Sequence, residues 1–397
     1  MLDLSGKLKI ADTTLRDGEQ APGVVFRLRD KLRLAELLDE VGVDEAEIGT
    51  PALSRREVRE CRILAGHRFR FATSVWCRAH RDDIAAALKC GADIVNISFP
   101  VSDILLRAMG RDRVELMFLL DEILNLADRE CPRFSIGLQD AGRASSRFLT
   151  TVLRRIASSR AFRVRVADTV GILNPITAAL LVKRLKALSS GKELEFHGHN
   201  DLGMALANTV GAAQAGADYL SVTVNGLGER TGNCPLEGLL FALKYSLRRN
   251  LQWNRDALMT LCRTVAERSG RPIPPMQPVT GVMATRHESG IHVRCLLRDP
   301  LAYLPYPPVE LGGRKNEFVL GKHSGVAAVT AFFQGRHIEL TPAAARKLLR
   351  RIKMAAEQRR RTLSEAEVLE LYYHHTGCVE AETPEALPVQ PSGGRLL

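Results

Sequence analysis

Two periods of apolar residues alternate along the first 250 positions of the chain. Short runs with the character of β-strands occupy 8–15 (LKIADTTL), 45–50 (EAEIGT), 69–76 (FRFATSVW), 93–99 (DIVNISF), 134–140 (FSIGLQD), 163–170 (RVRVADTV), 194–200 (LEFHGHN) and 219–226 (YLSVTVNG). Helix-period segments lie between them. In KLRLAELLDEVG (31–42), residues Leu32, Leu34, Leu37, Leu38 and Val41 share one helical face. Segments 82–93 and 209–218 both end in Gly-Ala-Asp, which predicts a helix stop before the next strand. Pro175 follows Asn174 and opens a helix over PITAALLVKRLKAL, because a first-turn proline lacks only an amide hydrogen that the helix leaves unused. Eight such strand–helix units predict an α/β chain folded as a (β/α)8 TIM barrel. An open doubly wound sheet is the rival architecture.

The pattern changes after residue 250. A helical piece at 255–269 leads into RPIPPMQPV (271–279), then HESGIHVRCLLRDPLAYLPY (287–306), VLGKHSG (319–325) and two helices near 341–360 and 363–374. The expected organisation is a catalytic barrel over 1–250, a linker and subdomain over 251–325, a smaller helical subdomain over 326–378 and a disordered, proline-rich tail over 379–397.

Chemistry in such a barrel sits at the C-terminal ends of the strands. There the sequence places Arg16 and Asp17 after the first strand, Asp140 and Arg143 after the fifth, Asp168 and Thr169 at the sixth, His197 and His199 at the seventh, and Asn225 to Asn233 after the eighth. A strand puts residues i and i+2 on one face, so His197 and His199 point together. If Asp17 shares the same mouth, the set is one carboxylate and two imidazoles with open positions, which is a catalytic rather than a structural metal layout. The bland reading of Arg16 and Asp17 is a surface ion pair before a glycine turn. The glycine-rich NGLGERTGNCP (225–235) lacks the GK[ST] ending of a phosphate loop. In a barrel it serves as a shaped loop that delivers Asn233 toward the metal.

Composition narrows the class. Apolar content of 45% is enough for a core. With neither an apolar run long enough to span a bilayer nor a charged-then-apolar leader, no membrane association and no secretion are expected. The eight cysteines are scattered without a CxxC pair, which points to reduced thiols in the cytoplasm. A net charge of +11 raises the question of a nucleic-acid partner. The arginines are spread along the chain, however, and aromatics are only 5%, so solvated helix faces are the expected explanation. No nucleic acid is predicted as a partner; an anionic small substrate or a phosphate-bearing coenzyme fits the charge.

Taken together, these motifs resemble the family of 2-isopropylmalate and homocitrate synthases. The residues that carry the resemblance are Leu15-Arg16-Asp17-Gly18-Glu19-Gln20 with Lys31, then Leu194, His197, His199, Asn200, Asp201 and Gly203, then GERTGN (228–233). Within the family, ADTVGI (167–172), HESGIHV (287–293) and VLGKHSG (319–325) look most like the homocitrate synthases of nitrogen-fixing bacteria. The C-terminal regulatory domain of leucine-regulated isopropylmalate synthases is not expected.

The resemblance implies an acyltransferase that joins acetyl-CoA to 2-oxoglutarate by a Claisen condensation, giving homocitrate and CoA for the nitrogenase iron-molybdenum cofactor. The sister reactions, with 2-oxoisovalerate or pyruvate as acceptor, are the alternative. A divalent metal (Mg, Mn or Zn) would be held by Asp17, His197 and His199, with Asn233 as a weaker fourth ligand. Catalytic roles fall to Arg16, to Glu195 as supporting acid, to His292 as the base and to Tyr303 beside it. Substrate binding falls to Gln20, His80, Arg143 and Thr169; an arginine at 143 suits a dicarboxylic acceptor. The region of His292 reaches the partner's active site in this family, which implies a homodimer with shared sites.

Overall fold

The computed structural model of the chain describes residues 8–376. Its eight strands are β1 (Lys9–Asp12), β2 (Glu45–Glu47), β3 (Ala72–Arg78), β4 (Ile94–Pro100), β5 (Phe134–Gln139), β6 (Arg163–Asp168), β7 (Glu193–Gly198) and β8 (Tyr219–Val222). All pair in parallel in sequence order, and β8 closes onto β1, with Ile10 opposite Leu220. That closure makes the fold a (β/α)8 barrel and removes the open-sheet rival, which would leave two edges.

The helices follow the local signals. Asn174 caps Pro175–Leu188 by accepting from the amides of Ile176 and Thr177, both at 3.0 Å. The first helix runs Leu28–Val41 and ends on Gly42 at φ 93°, a left-handed position that glycine takes without a Cβ clash. It buries Leu34, Leu37, Leu38 and Val41, as its period predicts. It also buries Lys31, whose ammonium sits 2.9 Å from Glu19 and 3.3 Å from Glu57.

The first strand is shorter than its apolar run. The Asp12 carboxylate accepts from the amide and the hydroxyl of Thr14 at 2.9 and 3.0 Å, and Asp17 N reaches back to the Thr13 carbonyl at 2.8 Å. These bonds turn the chain out of the ladder and carry Arg16 and Asp17 over the barrel mouth.

The barrel has an apolar outside and a charged inside. Val95, Ile97, Ile136, Leu138, Val164, Val166, Leu194, Phe196 and Leu220 are buried with the helices around them. The alternate residues Glu45, Glu47, Asn96, Arg163, Arg165 and Glu195 are equally buried but bond to one another inside the barrel. Arg163 grips Glu45 with Nη1 at 2.6 Å and Nη2 at 2.9 Å, and its Nε lies 2.9 Å from Glu195. Arg165 Nη1 donates to Glu47 at 3.0 Å, and its Nε lies 2.7 Å from Glu195. Glu47 in turn accepts from Arg16 Nε at 2.5 Å. One chain of opposite charges therefore runs through the barrel up to its mouth.

The division into compact units falls later than the sequence pattern indicated. Among the described residues, 8–284 together with 310–313 form the first unit, and 285–309 with 314–376 the second. The helix Arg255–Ser269, placed beyond the barrel from sequence, belongs to the barrel unit. It packs on the first helix and buries Leu258, Leu261, Cys262 and Val265. The expected subdomains at 251–325 and 326–378 are correspondingly redrawn. In the second unit, Val293, Leu320, Val329, Phe333, Leu348 and Ile352 form a separate core under the helices Val326–Gln334 and Pro342–Arg359. The tail at 379–397 lies outside the described residues. Among the described residues the seven cysteines are free, and no helix is long and apolar enough to cross a membrane.

Two buried acids of the barrel unit give it a pH-dependent stability. Burial lifts Asp12 to about 7, against the hydrogen bonds from Thr14, and burial lifts Glu237 to about 7. Both folded-state values exceed the ordinary carboxylate values, so the folded chain holds these protons more tightly than the unfolded chain. Stability therefore falls as pH rises from the ordinary carboxylate range toward 7, and the loss is complete above it. Glu237→Gln keeps an acceptor for the Asn225 amide, 3.0 Å away. The variant is expected to gain on the order of 2–3 kcal/mol at pH 8. Little gain is expected near pH 4.5. Denaturant melts at the two pH values measure this, and an equal gain at both would count against an ionised Glu237.

Candidate active site

The turn after β1 and the end of β7 bring three metal-binding side chains together. The Asp17 carboxylate and the His197 and His199 imidazoles are buried, and one ligand atom from each lies within 4.8 Å of the others. His197 Nε2 is 3.4 Å from Asp17 Oδ2 and 3.2 Å from His199 Nε2. Two Nε2 atoms facing each other beside a carboxylate is the arrangement a shared cation would resolve.

Protonation suits ligation. Burial pushes His199 down to about 4, and the neighbouring His197 adds to the shift, so its ring is neutral near pH 7. Burial alone would raise Asp17, but the Arg16 guanidinium and the two imidazoles hold it well below the usual carboxylate range. A neutral imidazole and an ionised carboxylate are the forms that bind metal.

Asn233 reaches the same place, with a different contact from the one its motif implies. Its Nδ2 donates to Asp17 Oδ1 at 3.0 Å and to the Leu227 carbonyl at 3.1 Å, while its buried Oδ1 has no hydrogen-bond partner. It thus holds the carboxylate that ligates and leaves an oxygen free beside it. The loop allows this approach because residue 228 is glycine: a Cβ there would overlap the Asn233 amide. Gly232, at φ 86°, similarly packs against the Gly226 carbonyl.

A cavity of about 170 Å³ opens over the triad and includes Arg16, Gln20, Thr169, Trp76, Ser98, Gln139, Arg165, Glu229 and Arg230 in its walls. Arg16 is held on two sides, by Glu47 and by Asp17 at 2.7 Å, with Trp76 at 5.6 Å from its guanidinium carbon. Its Nη2 has no hydrogen-bond partner among the described residues. A second cavity of about 450 Å³ adjoins the first through the shared residues Trp76, Ser98 and Gln139.

The remaining sequence-predicted residues are distributed differently. Thr169 is in the wall of the first cavity, where its hydroxyl accepts from Asp140 N at 2.8 Å. His80 lines the second cavity and caps the helix Arg81–Leu88, its Nδ1 accepting from Asp82 N at 3.2 Å. Arg143 lines neither. Its Nε and Nη2 both grip Asp140, at 2.8 and 2.7 Å, so the expected clamp on a substrate carboxylate is already closed on an internal one. Glu195 is not a mouth residue either. It is wedged between Arg163 and Arg165, one step below His197, and accepts from the Ser221 hydroxyl. Both of its ion pairs are internal to the barrel, and it is not in the wall of the cavity over the triad. His292 and Tyr303 belong to the second unit, where their rings stack at 3.9 Å between centroids and 23° between planes.

Sequence reasoning missed Trp76, Ser98, Gln139, Arg165, Glu229 and Arg230. The alternation RVRVAD did carry a signal for Arg165, since a residue two before Ala167 must share its face.

Comparison with known proteins places this geometry. Residues 7–265 match the HMGL-like family, and residues 279–360 match the homocitrate synthase post-HMGL domain-like family. The 2-isopropylmalate synthase 2 of Caldanaerobacter subterraneus subsp. tengcongensis is 38% identical over 91% of this chain and 94% of its own. The homocitrate synthase of Frankia alni is 40% identical over 81% of this chain and 92% of its own. Among solved structures, the hydroxymethylglutaryl-CoA lyase of Pseudomonas aeruginosa superposes with a TM-score of 0.60 at 21% identity, covering 67% of this chain and 94% of that one. That likeness bears on the fold.

Proposed function

We propose that this chain, which belongs to the HMGL-like family and, within it, to the 2-isopropylmalate and homocitrate synthases, is a homocitrate synthase: it condenses acetyl-CoA with 2-oxoglutarate and releases homocitrate and CoA. The observation that carries the reading is the buried triad of Asp17, His197 and His199 beside the doubly anchored guanidinium of Arg16. A divalent ion held by that triad would polarise the acceptor's ketone and fix its orientation.

The chain's own residues supply the rest. Arg16 stands where negative charge develops on oxygen, with a free Nη2 and a position fixed by Glu47 and Asp17, so little reorganisation is needed. Gln20, Thr169 and Arg230 line the same cavity and can hold the oxo acid's carboxylate by donated hydrogen bonds. The stacked pair His292 and Tyr303 takes the base role: it removes a methyl proton from acetyl-CoA, the carbanion attacks the ketone carbon, and water then cleaves the thioester. In this reading the pair comes from the partner subunit of a homodimer. Supply of homocitrate to the nitrogenase iron-molybdenum cofactor is the use that the motif pattern gives the product.

The sister reading, with 2-oxoisovalerate or pyruvate as acceptor, is favoured by the 2-isopropylmalate synthase relative at 38% identity. The two are separated by CoA release from acetyl-CoA with each acceptor, with Mn²⁺ or Mg²⁺ and with a chelator. Preference for 2-oxoglutarate that is lost on chelation is expected. Preference for either other acceptor would move the protein to the sister enzymes, and no release with any would remove the condensation reading.

A further inference from the structure

We infer that Arg165 binds the second carboxylate of a dicarboxylic 2-oxo acid at the floor of the cavity, an inference that rests on the condensation reading above. The two interior arginines of β6 make the case by contrast. Arg163 lies deeper, and both its end nitrogens are satisfied, Nη1 by Glu45 and Nη2 by Glu45 and Asn96. That is the pattern of a guanidinium whose work is internal. Arg165 is held by Glu47 through Nη1 and lies beside Glu195 through Nε, a close ion pair not aligned as a hydrogen bond. Its Nη2 is buried without a hydrogen-bond partner. A buried donor left unmade is costly, and the side chain borders the cavity that holds Asp17, His197 and His199.

Register sets the distance. Ala167 stands opposite His197, and Arg165 opposite Glu195, so Arg165 is one interior layer below the triad. Two strand residues rise roughly 6.6 Å, about the reach of a carboxylate carried two methylenes beyond a ketone held at the triad. The strand neighbours toward β4 are small at this level: Gly137 is in register with Arg165, and Ser98 with Gly137. Arg165 itself is in the wall of the cavity, together with Ser98. Glu47 and Glu195 are positioning residues here, since they fix the guanidinium plane and leave one edge for a ligand.

The test uses the full-length chain loaded with Mn²⁺. Calorimetry compares 2-oxoglutarate with pyruvate, which shares the 2-oxo carboxylate end and lacks the second carboxylate, for the wild type and Arg165→Lys. Lysine keeps the charge but cannot span Glu47, Glu195 and a ligand together. The expected result is a fall of about 10- to 100-fold in affinity for 2-oxoglutarate, with pyruvate affinity and the KM for acetyl-CoA within about twofold of wild type. Unchanged 2-oxoglutarate affinity overturns the inference. An equal fall for pyruvate also overturns it, because Arg165 would then act at the end shared by all acceptors. If Arg165→Lys does not fold, as judged by circular dichroism, the paired Arg165→Gln/Glu195→Gln variant removes one charge of each sign and is read by the same criteria. A wild type that releases CoA with no 2-oxo acid fails the condensation reading itself; one that prefers 2-oxoglutarate while the variant binds it normally fails the Arg165 inference alone.

Discussion

His197→Ala and Asp17→Ala are each expected to lose bound divalent metal and, with it, turnover by on the order of 10³-fold or more, since ketone polarisation is worth several kcal/mol and each 1.36 kcal/mol is tenfold in rate. The two losses have different side effects. His197 is a buried ring whose Nε2 faces His199 and Asp17, and its Nδ1 has no hydrogen-bond partner. Its removal leaves a cavity at a buried site but strands no buried guanidinium or amide. Asp17 also accepts from Arg16 at 2.7 Å and from Asn233 at 3.0 Å, so its removal frees a buried guanidinium and a buried amide. The melting temperature should fall more for Asp17→Ala than for His197→Ala. Metal content by atomic spectroscopy, CoA release and thermal melts on the same preparations check all three points. Normal activity with unchanged metal content in either variant would end the assignment of this triad.

Most of the barrel was legible in the sequence because its strands and helices obey local rules. The eight runs become the eight strands, and the cap at Asn174 and the stop at Gly42 sit where composition puts them. The triad was legible for a related reason: a strand's period of two fixes that His197 and His199 share a face, and the fold class fixes which end of β1 they meet.

What was not legible is which partner a side chain takes once the backbone has turned or the barrel has closed. Arg143 looks like a free clamp until Asp140, three residues before it, turns back with φ 60° and occupies it. Glu195 shares the face of the histidines and so looked like part of their chemistry. Its neighbours Arg163 and Arg165, across the register with β6, convert it into a structural counter-charge. The helix Arg255–Ser269 carries no mark in its own sequence of the first helix it covers. Arg165 carried a signal that can be read only with the closed barrel assumed. Its strand, RVRVAD, reads as a surface-like alternation, and only closure of the barrel turns the charged alternate inward.

Arg16→Lys is the second substitution with a large expected effect, and it separates catalysis from metal binding. Arginine at 16 does three things at once: Nε is fixed on Glu47 at 2.5 Å, Nη1 on Asp17 at 2.7 Å, and Nη2 is left for the cavity. A lysine ammonium is a single point charge on a flexible stem and cannot serve all three directions. It retains a positive charge near Asp17, so that carboxylate stays ionised and the triad keeps its ligating form. A donor that meets developing negative charge on oxygen is worth about 10²–10³ in kcat when removed. The expected result is therefore a fall in kcat of that order with metal content near wild type and a KM for the oxo acid changed by only about a few fold. Glu47 makes the prediction sharper. It bridges Arg16 to Arg165, so freeing Arg16 also loosens the anchor on which Arg165 rests. If Arg165 binds the acceptor, a modest loss of 2-oxoglutarate affinity should accompany the loss of kcat, and pyruvate affinity should not follow it. Loss of metal equal to that of His197→Ala would instead make Arg16 a support for Asp17, and an unchanged kcat would remove it from the reaction altogether.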